Sequence, residues 1–283
     1  MFLPILRLER MNKNLEEVEF TIFDTETTGL EPAFGDRIVE IAAVRFKGSQ
    51  RLATYQTLVN PKREISAAAF QVNQISQEML AGAPSIEEIM PEFLKFIQGS
   101  CLCSYNAGFD LEFLNNELKL MNQPPLEGVV VVDALKMARR LLPGLERYAL
   151  WFVADKLGIK AKQMHRAFSD VEMTLGVFNK LKEIMRTKGI QDFLNFSNLF
   201  SINQRLLESA AAQRIAEIQE AIDLRVRLKI RYLSSSGAEV SEREVIPKEV
   251  KYENNRSYLV GFCCLRNEER TFRIDGILHL EVI

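Results

Sequence analysis

Residues 18–24 narrow the fold more than any other segment: a largely apolar run of strand length stops on Asp24, with a second acid two residues on at Glu26. A wholly apolar strand such as 128–132 belongs inside a sheet covered on both sides. Side chains alternate along a strand, so Asp24 and Glu26 leave from the same face and hold two like charges side by side. Neighbouring carboxylates raise one another's pKa or call for a counter-cation, and a divalent metal is the usual partner. Taken alone, the pair could equally begin the turn that ends at Gly29.

Around this strand the pattern predicts an α/β fold. Strand-like runs at 37–47 and 51–59 flank Lys47-Gly48-Ser49 and give an antiparallel meander. Residues 85–98 switch to helical period, with Ile86, Ile89, Met90, Phe93, Leu94 and Ile97 on one stripe. Strands at 101–105 and 128–132 then alternate with helices at 109–121, 133–142, 147–157 and 167–185, so a mixed sheet flanked by helices is expected. In the helix from 133, Asp133 reads as the cap and Arg139-Arg140 as a solvated face. Past Lys188-Gly189 a polar stretch through Asn195, Ser197, Asn198 and Ser201 reads as a linker into a helix at 202–223. Short strands at 225–233, 240–247, 257–264 and 270–274 predict a small C-terminal β-barrel. A length of 283 residues suits two domains, here 18–188 and 222–283, after a tail at 1–17 and joined by 189–221.

A formal net charge of −2 excludes a chain that grips nucleic acid by overall charge, so any such contact is local and helped by metal ions. The apolar opening at 2–6 is too short for a signal-peptide core or a membrane span, and a cytoplasmic enzyme with a loose N-terminal tail is expected. Cys101 and Cys103 alternate and Cys263 and Cys264 are adjacent, neither with zinc or redox spacing, which predicts free thiols in a reducing compartment.

Further acids join the first two. Asn106 and Asp110 follow the strand at 101–105, where α/β sheets present ligand-binding groups. Asp110 falls on the stripe of Phe113, Leu114 and Leu118, and an inward-facing acid is costly unless compensated. His165 precedes the last helix of the domain, which carries Asp170. Each has a plain alternative: Asp110 favours a positive helix end, Asp170 pairs with Ser169 as a cap, and a lone histidine is usually structural. Together they fit one chemistry. Two divalent cations about 3.5–4 Å apart need several carboxylates, activate a water and stabilise the leaving oxygen of an in-line displacement at phosphorus. Histidine titrates near neutral pH, so His165 suits the proton of the attacking water.

Three segments, Phe23-Asp24-Thr25-Glu26-Thr27-Thr28-Gly29-Leu30, Tyr105-Asn106-Ala107-Gly108-Phe109-Asp110 and His165-Arg166-Ala167-Phe168-Ser169-Asp170, closely resemble the three motifs of the DEDDh exonucleases. That group includes the proofreading subunit of bacterial replicative polymerases. The resemblance covers about 18–186 and implies an RNase H-like fold, two Mg²⁺ or Mn²⁺ ions, and release of nucleoside monophosphates from a 3′ end. It also implies that Asp24, Glu26, Asp110 and Asp170 are the metal carboxylates and His165 the general base. Thr27 and Leu30 would touch the terminal nucleotide, Phe109 would wall its pocket, and Asn106 would join the substrate-binding set. Many relatives carry His-Gly where Asn73-Gln74 stand, although Asn73 can still hydrogen-bond the nucleotide. DNA is expected over RNA, and association with a polymerase is left open.

Residues from about 222 to 283 resemble a WYL domain, with Ser257-Tyr258-Leu259 in place of the Trp-Tyr-Leu run. Arg243, Arg270 and Arg273 stand near that family's basic positions. The resemblance implies a small Sm- or SH3-like barrel that senses a nucleic-acid or nucleotide-like ligand. Independently, Arg225, Arg227, Lys229 and Arg231 alternate with Val226, Leu228, Ile230 and Tyr232, which gives a strand with one basic face for phosphate. Neutralisation of that face by nearby glutamates is an equal alternative. Two rival readings, a catalytically inactive nucleic-acid sensor and a ligand-responsive interaction protein, are disfavoured by the intact set of four acids and one histidine.

Overall fold

The central strand is β1 (Glu19–Thr27), which has apolar side chains on both faces and so is covered on both. This computed structural model describes residues 13–160, 165–202, 208–234, 238–254 and 256–283. Residues 1–12, 161–164, 203–207, 235–237 and 255 lie outside the described residues, and with them most of the expected N-terminal tail and the first residues of the helix expected from 202.

Strands β2 (Ile38–Lys47), β3 (Gln50–Leu58), β4 (Cys101–Ser104) and β5 (Val131–Asp133) complete a sheet of order β3-β2-β1-β4-β5. The meander β1-β2-β3 is antiparallel, and β4 and β5 run parallel to β1. Phe20 and Ile22 enter one core with α5 (Ala134–Leu141), α6 (Leu150–Lys156), α7 (Ala167–Thr187) and α8 (Phe193–Phe200). Phe23 enters the other, with α3 (Ile86–Ile97) and α4 (Ala107–Leu120). The mixed sheet flanked by helices is the expected one. The short helices α1 (Ala67–Asn73) and α2 (Gln77–Ala81) were not legible as such; each is opened by a serine, Ser66 and Ser76, whose hydroxyl accepts a backbone N–H.

Two expectations are corrected. The segment read as a linker contains α8, capped by Asp192, whose Oδ1 accepts the N–H of Asn195 at 2.8 Å. Phe193, Phe196, Leu199 and Phe200 are buried in the first core, and the Phe196 ring meets Phe20 at 5.6 Å and Phe178 at 6.0 Å between centroids. Residues 13–17 are likewise no loose tail. Leu15 is buried, its N–H donates to Gln191 O at 2.8 Å, and Lys13 O accepts from Phe193 N at 2.9 Å.

The C-terminal strands β6 (Leu228–Leu233), β7 (Val240–Glu253), β8 (Arg256–Cys263), β9 (Glu268–Arg273) and β10 (Ile277–Val282) form an antiparallel sheet of order β10-β6-β7-β8-β9. Helix α9 (Glu208–Asp223) closes its core with Ile218 and Ala221 against Leu228, Ile230, Leu259 and Phe272. The barrel expected here is thus seen as a five-stranded sheet. Its Leu233 and Leu278 reach into the first core, and hydrogen bonds cross the junction from Arg231 Nη2 to Lys188 O (2.7 Å) and from Asn195 Nδ2 to Leu278 O (3.0 Å).

Phe196→Ala should therefore remove about 3–5 kcal/mol from unfolding in urea. A loss below about 1 kcal/mol would show that α8 is peripheral.

Candidate active site

The site begins where β4 runs out. Its ladder with β1 covers Phe20 to Ile22 only, so the last residues of β1 pair with β2 on one side and present an open edge on the other. Asp110, from the first turn of α4, fills that edge: its Oδ1 accepts from Thr25 N (3.0 Å) and Thr25 Oγ1 (2.7 Å), and its Oδ2 from Ser104 Oγ (2.5 Å). Burial pushes its pKa up to about 6, against the pull of these donors.

Asp24 and Glu26 leave β1 on the face opposite Thr25, towards α7. There Asp170, in the first turn of α7, joins them, and one carboxylate oxygen from each lies within 4.8 Å of the others. Burial raises the Asp24 carboxyl well above its ordinary value, with Asp110, Glu26, Asp170 and Glu40 adding to the shift. Burial also lifts Glu26 to about 8, reinforced by Asp170, Glu40 and Asp110 and opposed by Arg166. Three crowded, desolvated oxygen donors with no cation among them fit a hard divalent ion. The structure thus brings together three of the four expected acids as one donor group and sets Asp110 directly behind them.

Three residues that sequence reasoning missed as part of the site, Glu40, Arg37 and Glu117, hold it in shape. Glu40, opposite Glu26 in the β1–β2 register and 1% exposed, takes Arg166 Nε and Nη2 at 3.0 Å each and Ala167 N at 3.1 Å. It therefore fixes the start of α7 and with it Asp170. The only signal in the sequence was Glu40's place across the strand from Glu26. Likewise Arg37 grips the buried Glu117 of α4 through Nε (2.8 Å) and Nη2 (2.7 Å), which anchors the helix that carries Asp110.

Residues 21–178 match the exonuclease family, and residues 213–282 match the WYL domain. This chain belongs to the exonuclease family. It is 42% identical over 168 residues to DNA polymerase III subunit epsilon of Treponema pallidum, which covers 59% of this chain and 77% of that one. It is 32% identical over 277 residues to DNA polymerase III PolC-type of Thermotoga petrophila, covering 96% of this chain but 20% of the relative. The chain thus spans about a fifth of the PolC-type length. In fold it is similar to E. coli exonuclease I in complex with a dA16 oligonucleotide (TM-score 0.55, 17% identity, 87% of this chain and 55% of that one). It also matches the nuclease domain of 3'hExo, a DEDDh family member bound to rAMP (TM-score 0.54, 16% identity, 63% and 97%). Among the described residues no helix is long and apolar enough to cross a membrane.

The other expected residues divide into those open to solvent and those held by local contacts. Leu30 is 78% exposed, Asn106 is exposed in a left-handed conformation (φ 70°), and Phe109 is half-buried against Phe113 at 4.9 Å. Thr27 and Asn73 also hold local structure together. Thr27 Oγ1 donates to Gly29 O at 2.5 Å; the buried Asn73 donates to Thr27 O at 3.3 Å and accepts Ile75 N at 3.0 Å. Asn73 thereby also helps to place Thr27. His165 is exposed at φ 47°, directly before the clamped Arg166, and is not part of the donor group.

In the C-terminal sheet the expected basic face does not assemble. Arg225 has φ 56° and precedes β6, Arg227 and Lys229 face Glu244 (4.0 Å) and Glu242 (3.3 Å), and Arg231 binds Lys188 O. Arg243 lies beside Glu242 O (3.4 Å), Arg270 pairs with Glu268 (3.4 Å), and Tyr258 sits across from Arg273 in the β8–β9 register. Neighbouring glutamates thus neutralise Arg227 and Lys229, while Arg231 turns to the exonuclease domain.

The raised acids predict a pH signature. Between the ordinary value of 4.5 and about 8, the folded chain keeps a proton on Glu26 that the unfolded chain has released. Stability contributed by that proton is present at low pH and is lost as pH rises through this window. In chelator, the melting temperature should fall from pH 5 to pH 8.5, and Mn²⁺ should restore most of it. Glu26→Gln should flatten the fall. A melting temperature independent of pH in chelator would refute the crowding described here.

Proposed function

We propose that this chain is a divalent-metal-dependent exonuclease that removes nucleotides from the 3′ end of nucleic acid, DNA in preference to RNA, and releases nucleoside 5′-monophosphates. The observation that carries this reading is the gathering of Asp24, Glu26 and Asp170 within 4.8 Å, with the buried Asp110 beside them. The resemblance of the three acidic motifs to the DEDDh exonucleases supports the polarity, and the similarity to DNA polymerase III subunit epsilon supports the choice of DNA.

In this reading Asp24, Glu26 and Asp170 hold two Mg²⁺ or Mn²⁺ ions, and Asp110 completes the set from the α4 side. When bound, the ions supply Lewis acidity to the scissile phosphate and lower the pKa of the attacking water. His165 takes the proton of that water. Its neighbour Arg166 is tied bidentately to Glu40, which limits how far the backbone next to the imidazole can drift. Leu30 and Phe109 offer apolar contacts to the terminal nucleotide, while Asn106 and Thr27 line its approach. The catalytic module takes in α8, and the WYL-matched residues form a regulatory module of Sm- or SH3-like type that binds a nucleic-acid or nucleotide-like ligand. A cytoplasmic setting and association with a replicative polymerase accord with the epsilon-like relative.

The decisive assay follows single-stranded DNA labelled at its 3′ end, in Mg²⁺ or Mn²⁺. Labelled mononucleotide should appear first. Asp24→Ala should slow its release by at least about 100-fold, and His165→Ala by about 10²–10⁴-fold with metal binding retained in calorimetry. Equal turnover in Asp24→Ala, or first release of a 5′ label, would overturn the proposal.

A further inference from the structure

Where α5 faces the C-terminal sheet lies a cavity of about 360 Å³ lined by Asp133, Lys136, Arg139, Arg140, Arg256 and Arg273. Five of the six are cations, drawn from both domains. Arg139-Arg140, expected as a solvated face, divides: Arg139 is exposed, but the Arg140 side chain is only 7% exposed. Arg140 is also poorly matched. Its Nε has no hydrogen-bond partner among the described residues, its Nη2 is 3.4 Å from Leu233 O, and its Nη1 is 3.9 Å from Asp275 Oδ1. That same Asp275 oxygen already accepts Arg273 Nε at 3.0 Å. Lys136 donates to Ser201 O at 2.9 Å, and burial with the nearby Arg273, Arg140 and Arg256 brings its pKa down to about 8 despite Asp275. Asp133 offers little relief, because its Oδ1 is occupied by the N–H groups of Asn106 (2.9 Å) and Leu135 (2.8 Å).

A buried cation needs a counter-charge and hydrogen bonds. The protein supplies chiefly one shared carboxylate, Asp275, for Arg140, Arg273 and Lys136. The guanidinium fork matches phosphate oxygens bidentately, and a volume of about 360 Å³ lies within the usual range for a small-molecule site. We infer that this interdomain cavity is a binding site for a phosphate-bearing ligand of nucleotide size, held by Lys136 and Arg140 from the exonuclease domain and by Arg256 and Arg273 from the WYL-matched domain. The phosphates belong either to a free nucleotide or to the backbone of a nucleic-acid strand. Site and acidic cluster share one scaffold. Asp133 caps α5 and holds Asn106 N, and Asn106 opens α4 four residues before Asp110.

Binding is tested on the full chain in chelator, which keeps it separate from the exonuclease reading: failure of one leaves the other standing. Pyrophosphate, ATP and a single-stranded 12-mer deoxyoligonucleotide are the probes, read by calorimetry and by melting temperature. Pyrophosphate should bind and raise the melting temperature, and Arg256→Ala and Arg273→Ala should each weaken it by about tenfold or more. Arg140→Met should weaken pyrophosphate similarly without lowering the melting temperature of the protein alone, because an unmatched buried charge has been removed. Lys251→Ala, outside the cavity and paired with Glu249, should change nothing. Competition between pyrophosphate and the 12-mer identifies a strand backbone as the source, and displacement by ATP but not by the 12-mer identifies a free nucleotide. Either supports the site. No probe binding, or probe binding that Arg256→Ala and Arg273→Ala leave unchanged, overturns it.

Discussion

Like-charge crowding at the end of β1 is the constraint on which the rest of this structure turns. Three carboxylate oxygens stand within 4.8 Å of one another, with Asp110 behind them. At an effective dielectric of about 20, unit charges at such a distance repel by roughly 3 kcal/mol per pair. That is a large share of the roughly 5–15 kcal/mol that holds a domain folded. Burial and crowding favour keeping protons on Asp24 and Glu26. An arrangement that costs stability in the free protein is the kind that a divalent ion would relieve.

Such a cluster persists only if its carriers cannot move apart, and three buried contacts see to that. Glu40 ties β2 to the first turn of α7, Glu117 ties α4 to Arg37 at the start of β2, and Thr25 with Ser104 locks Asp110 into the gap left by the short β4. Each anchor is itself charged or polar and nearly inaccessible, so each depends on its partner being present. The scaffold is thus a second ring of polar pairs around the first. Its geometry follows from strand register: Glu40 faces Glu26 because β1 and β2 pair there, and Thr25 meets Asp110 because β4 stops at Ser104.

Much of this was legible in the sequence, for reasons tied to period. The alternation that puts Asp24 and Glu26 on one face needs only a strand, and the stripes of α3 and α7 need only a helix. Donor roles were harder. Asn73 carries a side chain suited to a nucleotide, yet only tertiary contact reveals that Thr27 and Ile75 already engage its amide. Helix α8 was missed because Asn195, Ser197 and Asn198 resemble a linker, while its apolar residues at 193, 196, 199 and 200 follow helical spacing. The basic alternation from Arg225 was read correctly as a pattern and misread as a surface, because the opposing glutamates of β7 lie outside any local window.

The joining of the two domains follows the same logic of matched surfaces. Leu233 and Leu278 of the C-terminal sheet are buried in the core that also holds Phe20 and Phe196, so separating the modules would expose apolar surface on both. Glycines permit the close approach. At Gly276 a Cβ would come within 3.1 Å of Arg140 Nη2, and at Gly189, with φ 69°, a Cβ would press on the Arg231 guanidinium. Both arginines therefore lie against backbone from the other domain. The concentration of positive charge between them is a fixed product of that packing. Because Asp133 borders the cavity and also holds the start of α4, any counter-ion that settles there acts on a frame continuous with the acidic cluster.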